Sequence, residues 1–193
     1  MQWSGSSITY CYTIRTMRFS DRPLAITNIE TTGLDAQLHE IVELAILVVD
    51  PRTLKLRDRY TAKVRPENIR RANKRALAVC GYSDREWRSA ISLEAAMEIY
   101  SQKTAGAVFV SHNVFFDYSF IDAAFKRTGV EDLTDYHRLD LFSLAWAKAP
   151  ALRLESFTLD SICRALDIPP EPLPHRAIMG ARTQLAVLKR LRT

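Results

Sequence analysis

The feature that most constrains the fold is a strong apolar run from Ile41 to Val49, which ends at the breaker pair Asp50-Pro51. A shorter apolar segment, Leu24 to Ile29, precedes it and leads into the turn signal Thr31-Thr32-Gly33. After the breaker pair, Leu54 to Val64 alternates apolar and charged residues, which is typical of a strand with one solvated face. We therefore expect the chain to begin with three antiparallel strands.

Beyond Val64 the pattern changes to an alternation of helices and strands. Two short segments predict strands: Ala107 to Ser111, which is continuously apolar, and His137 to Phe142. Helical spacing and cap residues predict helices over Asn68 to Ala78, Ser92 to Gln102, Tyr118 to Thr128, Ser156 to Leu166 and His175 to Leu191, with a further N-cap signal at Ser83 and Glu86. Three antiparallel strands followed by crossover units predict an α/β fold, in which one mixed sheet carries helices on both faces.

The length and composition fit one globular domain. The 193 residues are 47% hydrophobic, which is enough for a sizeable core. We expect the domain to cover residues 21–193, after a partly disordered N-terminal extension over residues 1–20. Within this extension, Ile8 to Ile14 alternates like an edge strand, and Met17 is a candidate for the natural start.

Membrane and disulfide-rich classes do not fit this composition. The longest apolar runs, such as Ala45 to Val49, are far shorter than the ~18–20 residues needed to cross a bilayer, and the N-terminus lacks a signal peptide's apolar segment. Cys11, Cys80 and Cys163 are too few and too scattered for a disulfide framework or a paired zinc motif. We expect a soluble cytoplasmic protein with no membrane partner.

Positive charge is concentrated in one stretch of the chain. The net charge is +5, yet between Arg52 and Arg88 twelve Lys or Arg residues face four Asp or Glu residues, so the rest of the chain is slightly acidic. Such a concentration fits a phosphate-backbone contact, and it fits a solvated basic surface equally well.

Four local patterns are candidates for chemistry, and each has a structural alternative. Glu30 ends the first strand in NIETTGL, where a salt-bridged strand-end Glu is the alternative. Asp117 lies in SHNVFFDYSF, one turn into a helix whose dipole favours an acid. His175 stands at the start of the last helix, where capping or packed histidines are common. The basic segment from Arg65 to Trp87 is the fourth pattern, with a solvated helix face as its alternative.

Together, in this order, the patterns resemble a known family. The segment IETTGLDAQLHEIVELAILVVD is similar to the first motif of the DnaQ-like (DEDDh) 3′–5′ exonucleases, the superfamily of the proofreading epsilon subunit of DNA polymerase III and of RNase T. HNVFFDYSF resembles the second motif, HNxxFDxxF, and SFTLDSICRALDIPPEPLPHRAIMGARTQLAVL resembles the last segment. The resemblance extends from about Pro23 to Leu191 and implies a ribonuclease H-like fold with a five-stranded mixed sheet.

The resemblance also implies two-metal phosphodiester hydrolysis with Mg²⁺ or Mn²⁺. In this sequence Glu30 and Asp117 match metal-binding acids, and His175 matches the general base that takes a proton from the attacking water. The single-stranded 3′ end and the nucleotide monophosphate product would contact residues of the motifs and of the basic segment. We assign nucleic-acid binding to Thr31, Thr32, Gly33, Leu34, His112, Asn113, Phe116, Arg70, Arg71, Lys74 and Arg75.

Two positions depart from the family pattern. Asn28 stands where the family has its first Asp, so it is at best a weakened metal ligand, and Gly180 stands where the family has its last Asp. Glu171 and Asp167, on the segment that leads to His175, do not obviously replace these acids. Arg182 would place a positive charge where the family binds a cation, so we expect metal binding to be weakened or lost.

Two main hypotheses remain open. One is a 3′–5′ exonuclease domain with impaired hydrolysis, in which Asn28 is an engineered change that traps substrate. The other is a natural pseudo-exonuclease, which binds nucleic acid or acts as an interaction module on a polymerase, and Gly180 favours it because engineered traps normally change one ligand. A structural subunit that docks on a polymerase or another nuclease is a weaker third hypothesis. A homodimer remains open, and so does the choice between DNA and RNA.

Overall fold

The computed structural model describes residues 18–154 and 156–192. Within these residues five strands form one sheet: β1 (Leu24–Thr31), β2 (Ile41–Val49), β3 (Leu56–Lys63), β4 (Val108–Ser111) and β5 (Arg138–Asp140). Their order across the sheet is β3-β2-β1-β4-β5. The first three strands are antiparallel, while β4 runs parallel to β1 and β5 runs parallel to β4. The predicted five-stranded mixed sheet of a ribonuclease H-like fold is confirmed.

Helices surround this sheet and supply both layers that cover it. They are α1 (Lys74–Cys80), α2 (Leu93–Thr104), α3 (Val114–Thr128), α4 (Leu141–Ala147), α5 (Ala149–Leu152), α6 (Leu159–Ala165) and α7 (Ala177–Leu191).

The strand β2 is buried on both faces, because alternate side chains belong to two separate cores. Leu44, Ile46 and Val48 pack into one core with side chains of α2 and α3, which include Tyr100 and Phe125. Ala45, Leu47 and Val49 pack into a second core with side chains of α4, α6 and α7. Burial on both faces explains why this strand is a nearly continuous apolar run in the sequence.

The strands β3 and β5 are shorter than the sequence suggested. Leu54 is buried in the turn before β3 with a positive φ of 52°, and Val64 forms only an isolated bridge to Ile91. The predicted strand His137 to Phe142 was wrong at its end, because β5 stops at Asp140. The side chain of Asp140 accepts hydrogen bonds from the backbone N–H groups of Phe142 and Ser143 and starts α4 instead.

Helix boundaries also differ from the prediction. The segment Asn68 to Ala78 is a short 3₁₀ turn, Ile69–Arg71, followed by α1, which Asn73 caps. The predicted cap Ser156 was wrong, because Thr158 caps α6 by accepting from Ser161 N. Ser83 does accept a hydrogen bond from Glu86 N at 3.2 Å, yet turns rather than a helix follow it.

Most of the N-terminal extension lies outside the described residues, and so do the predicted edge strand Ile8 to Ile14 and Met17. Of residues 18–20, Phe19 and Ser20 belong to a 3₁₀ turn, Phe19–Asp21. In the part of the chain that the structure describes, no helix has the length and apolar character that spanning a membrane requires. Cys80 and Cys163 are buried free thiols.

Candidate functional site

A cleft of about 350 Å³ lies where the end of β1 faces the first turns of α3 and α7. Residues from separate parts of the chain line it. β1 contributes Asn28 to Glu30, and α3 contributes Phe116 and Asp117. Cys163 and Glu171 come from α6 and the segment after it, and Gln184 comes from α7. The structure thus brings together Asn28, Glu30, Asp117 and His175, which are far apart in the sequence.

Glu30 lies at the end of β1 among other carboxylates. It is paired in register with Glu43 of β2, and a β-bulge separates it from Thr31. Burial raises the pKa of Glu30 from its usual 4.5 to about 8, with further contributions from the nearby carboxylates of Glu171, Glu43 and Asp117. The positive charge of Arg176 opposes this rise in the pKa of Glu30.

Asp117 is buried at the bottom of the same cleft. Its side chain is held by a hydrogen bond from Ser111 Oγ at 2.6 Å, so the end of β4 fixes the carboxylate of α3. Burial raises the pKa of Asp117 to about 7. Its effect on the pKa of Glu30 shows that the two predicted ligands share one electrostatic environment.

His175 meets Glu30 from the segment that precedes α7, and Glu171 joins them. One ring nitrogen of His175 and one carboxylate oxygen each of Glu30 and Glu171 lie within 4.8 Å of one another. Burial raises the pKa of Glu171, and the charge of His175 opposes this shift. Glu171 lies on the segment that leads to His175 and was not expected to replace a family acid. The structure corrects this by placing its carboxylate inside the site.

The two positions that depart from the family pattern are packed against each other. A Cβ atom at Gly180 would lie 2.5 Å from Asn28 Nδ2, so the amide of Asn28 fills the space beside the glycine. Gln184, one turn further along α7, donates from Nε2 to Asn28 Oδ1 at 2.8 Å. Gln184 was missed in the sequence, since a glutamine in a predicted amphipathic helix carries no signal of burial.

The positive charge beside the acids comes from a residue that the sequence analysis did not name. Arg182 is exposed and its guanidinium contacts Met179 Sδ at 3.6 Å, so its expected role at the cation position was wrong. Arg176 instead reaches Glu43 Oε1 at 3.2 Å, and its guanidinium lies 5.2 Å from the ring centre of Trp87. Among the described residues, neither Glu30 nor Glu171 forms an ion pair within 4 Å.

Hydrogen bonds hold one end of the turn after β1, and its other end is exposed. Thr31 Oγ1 donates to Gly33 O at 2.6 Å, and Thr32 Oγ1 accepts from Glu40 N at 2.9 Å. Leu34 is 82% exposed, so its side chain is free to contact a ligand.

A second, wider groove of about 630 Å³ adjoins the cleft. His112 and Phe116 line both, and Asn113 lines the groove. Phe142 and Phe157 complete its aromatic wall, with their ring centres 5.4 Å apart. The sequence analysis missed this pair, which separate elements bring together.

The basic residues Arg70, Arg71, Lys74 and Arg75 are exposed and do not line the cleft. Among the described residues, none of the four has an ion-pair partner within 4 Å. Backbone bonds nevertheless hold α1 beside the site, because Asn73 N donates to Thr32 O at 2.7 Å and His175 N donates to Val79 O at 2.9 Å. The basic segment therefore flanks the cleft.

Comparison with known proteins identifies the family. Residues 27–188 match the RNase_T family model, described as Exonuclease. The chain belongs to this exonuclease family. Its DnaQ-like motifs and its sheet agree with that assignment. DNA polymerase III PolC-type from Thermotoga maritima is 29% identical over 172 residues, which are 89% of this chain and 12% of that polymerase. The chain thus spans only about an eighth of the length of such relatives.

Solved exonuclease structures share the fold of this chain. E. coli exonuclease I in complex with a dA16 oligonucleotide superposes with a TM-score of 0.74 at 20% identity, covering 89% of this chain and 41% of that one. A zinc-bound complex of E. coli exonuclease I with single-stranded DNA gives 0.75 at 19% identity, covering 89% and 40%. At this level of identity the likeness establishes a common fold.

Proposed function

We propose that this chain is an exonuclease-family domain that binds the 3′ end of single-stranded nucleic acid and hydrolyses it poorly or not at all. The observation that carries the proposal is the packing of Asn28 against Gly180 in a cleft that still contains Glu30 and Asp117. The cleft keeps two carboxylates of the family's ligand set, while the other two are replaced.

The residues present do not fit the family's pair of Mg²⁺ or Mn²⁺ ions. Gly180 offers no donor atom, and the Oδ1 atom of Asn28 already accepts a hydrogen bond from Gln184. Of the family's acidic positions only Glu30 and Asp117 keep a carboxylate, and Glu171, which also lies in the cleft, is not at a family position, so few of the family's ligands remain for two hard cations. We expect the rate to fall steeply, because losing one electrostatic partner of a transition state costs ~10²–10³.

The surface around the cleft supports strand binding. The four exposed cations on and before α1 have no acidic partner in the described chain and flank the cleft, so phosphates are a suitable partner for them. The groove lined by Phe116, Phe142 and Phe157 offers aromatic faces on which bases can stack. The neighbouring exonuclease I structures contain single-stranded DNA, which makes the same ligand a reasonable first choice here.

A second candidate is an inactive module that associates with a polymerase. The PolC-type relatives carry the matching segment inside a much longer polymerase, so a partner of that kind is consistent with the homology. The aromatic side chains of Phe115 and Tyr136 are 86% and 80% exposed, and such a partner would cover them.

Binding and hydrolysis are tested separately. A fluorescent single-stranded oligonucleotide is titrated with the protein in chelator, beside a circular strand of the same sequence that lacks ends. The linear strand should bind more tightly, and degradation in Mn²⁺ should be slow or undetectable. Equal affinity for both strands would contradict binding at a 3′ end, and rapid degradation abolished by Glu30→Ala would contradict the loss of hydrolysis.

A further inference from the structure

Three donor groups in the cleft are arranged around a common point. One carboxylate oxygen of Glu30, one carboxylate oxygen of Glu171 and one ring nitrogen of His175 all lie within 4.8 Å of one another. Ligands on opposite sides of one ion with bonds of about 2.1 Å are about 4.2 Å apart, so a side-chain shift of under about 1 Å would bring all three to one ion.

The backbone holds these donors in place. Glu30 lies in the sheet at the end of β1. His175 is fixed by the bond from its N–H to Val79 O, and Glu171 Oε1 accepts a hydrogen bond from Arg176 N at 3.4 Å. The segment between α6 and α7 therefore presents both of its donors to the strand end.

A buried oxygen in the same cleft has no partner of its own. Gln184 is 1% exposed, lines the cleft and uses Nε2 on Asn28, while its Oε1 atom has no hydrogen-bond partner in the described structure. A buried acceptor of this kind needs a donor. Water or a hydrated ion in the cleft would satisfy it, so this observation points to an occupant independently of the three donors.

We infer that Glu30, Glu171 and His175 bind one divalent transition-metal ion in place of the family's two-ion arrangement. This inference deepens the proposed function and rests on it, since the ion would lie where the strand end is proposed to bind. In this arrangement Glu171 becomes a ligand that the family pattern lacks. His175 becomes a ligand as well, and its ring nitrogen is no longer free to act as a general base.

The donor set defines the class of ion. Two carboxylate oxygens and one imidazole nitrogen suit Zn²⁺ or Mn²⁺, whereas Mg²⁺ prefers oxygen ligands and retains its waters. Burial and the neighbouring carboxylates already raise the pKa of Glu30, and a bound cation would relieve that repulsion.

Calorimetry of the metal-free full chain, with no nucleic acid present, tests the inference. We expect one Zn²⁺ or Mn²⁺ per chain, bound roughly tenfold or more tightly than Mg²⁺. Glu171→Gln should weaken this binding roughly tenfold or more, since it removes a charged ligand and preserves the shape of the side chain. The matched control is Asp167→Asn, which changes an exposed acid on the same segment and should leave affinity unchanged.

A thiol near the site requires a second control. Cys163 also lines the cleft, and burial raises the pKa of its thiol to about 11, which disfavours the thiolate that binds zinc. Cys163→Ser should therefore retain Zn²⁺ binding. Titration of Mn²⁺ followed by electron paramagnetic resonance gives an independent count of bound ions.

Three results would overturn the inference. They are the binding of two ions per chain, an unchanged affinity in Glu171→Gln, and the absence of binding by either transition metal. Strand binding is measured separately in chelator, so its failure would remove the proposed function while ion binding would still be observed.

Discussion

The amide of Asn28 on β1 fills the space that a side chain at Gly180 on α7 would occupy. Gln184 completes the arrangement by donating to Asn28 Oδ1. The two departures from the family pattern are therefore one structural unit, and substitutions at these positions should not act independently.

The first prediction concerns stability. Gly180→Ala gains up to about 1 kcal/mol of helix propensity and loses about 1–3 kcal/mol to overpacking against Asn28, so we expect a net loss of about 1 kcal/mol. Combining it with Asn28→Ala should reduce the loss below the sum of the single changes. Urea denaturation in chelator measures all four chains of this cycle. A Gly180→Ala variant as stable as the parent would show that Asn28 moves aside at no cost.

The second prediction concerns repair of hydrolysis. Asn28→Asp combined with Gly180→Asp returns both carboxylates, and we expect Mn²⁺-dependent degradation from the 3′ end to rise by roughly 10²-fold or more. Each single change should do much less, because it returns only one of the two carboxylates. Gel analysis of a 5′-labelled strand follows the reaction.

The control for the repaired chain is Glu30→Ala, which should abolish the restored activity. If either single change restores activity fully, the two positions do not act as one unit. If the double change restores no activity, the site lacks further groups that hydrolysis requires besides the two carboxylates.

The third prediction concerns the basic segment. Arg71→Glu with Lys74→Glu should weaken strand binding and flatten its salt dependence by about 0.7 in log-log slope for each phosphate that the variant no longer neutralises. The matched control is Lys55→Glu with Arg59→Glu, a charge change of the same size at the far edge of the sheet, where both residues are exposed. Anisotropy titrations over a range of salt concentrations compare the two pairs. Equal effects from both pairs would mean that total charge matters and the position of the cations does not.

The fourth prediction separates stacking from charge. Phe142→Ala removes one wall of the aromatic groove and should weaken strand binding by about 1–3 kcal/mol without changing the salt slope. Trp146→Ala is the control, because this side chain lies on the same helix and is 63% exposed but does not line the groove. Equal losses in both variants would exclude a specific stacking role for the groove.

The sheet was predictable because its signals are local. The run Ile41 to Val49, the breaker pair after it and the motif around Asp117 each lie within a short stretch of sequence. Asp140 shows where local patterns fail, since the segment His137 to Phe142 contains a strand and the start of a helix, and the side chain of this one residue separates them.

The site was less predictable because its new members depend on long-range packing. Glu171 meets Glu30 only when the segment before α7 lies across the end of β1. Gln184 is buried because it reaches Asn28, and nothing in the spacing of α7 distinguishes it from a solvated residue. Family motifs identify the positions that carry the family's own ligands, and they contain no information about replacements at other positions.

The absence of a side chain at position 180 has a consequence for how this pair arose. With a larger residue at 180, the amide of Asn28 has no room in its present place, so the glycine is the change that permits the asparagine to settle there. Reversal at position 180 alone then produces a crowded intermediate, whereas Asn28→Asp alone keeps the same side-chain shape beside the glycine. A lineage that regained the family's acids would meet its obstacle at position 180, where any new side chain requires that of residue 28 to move.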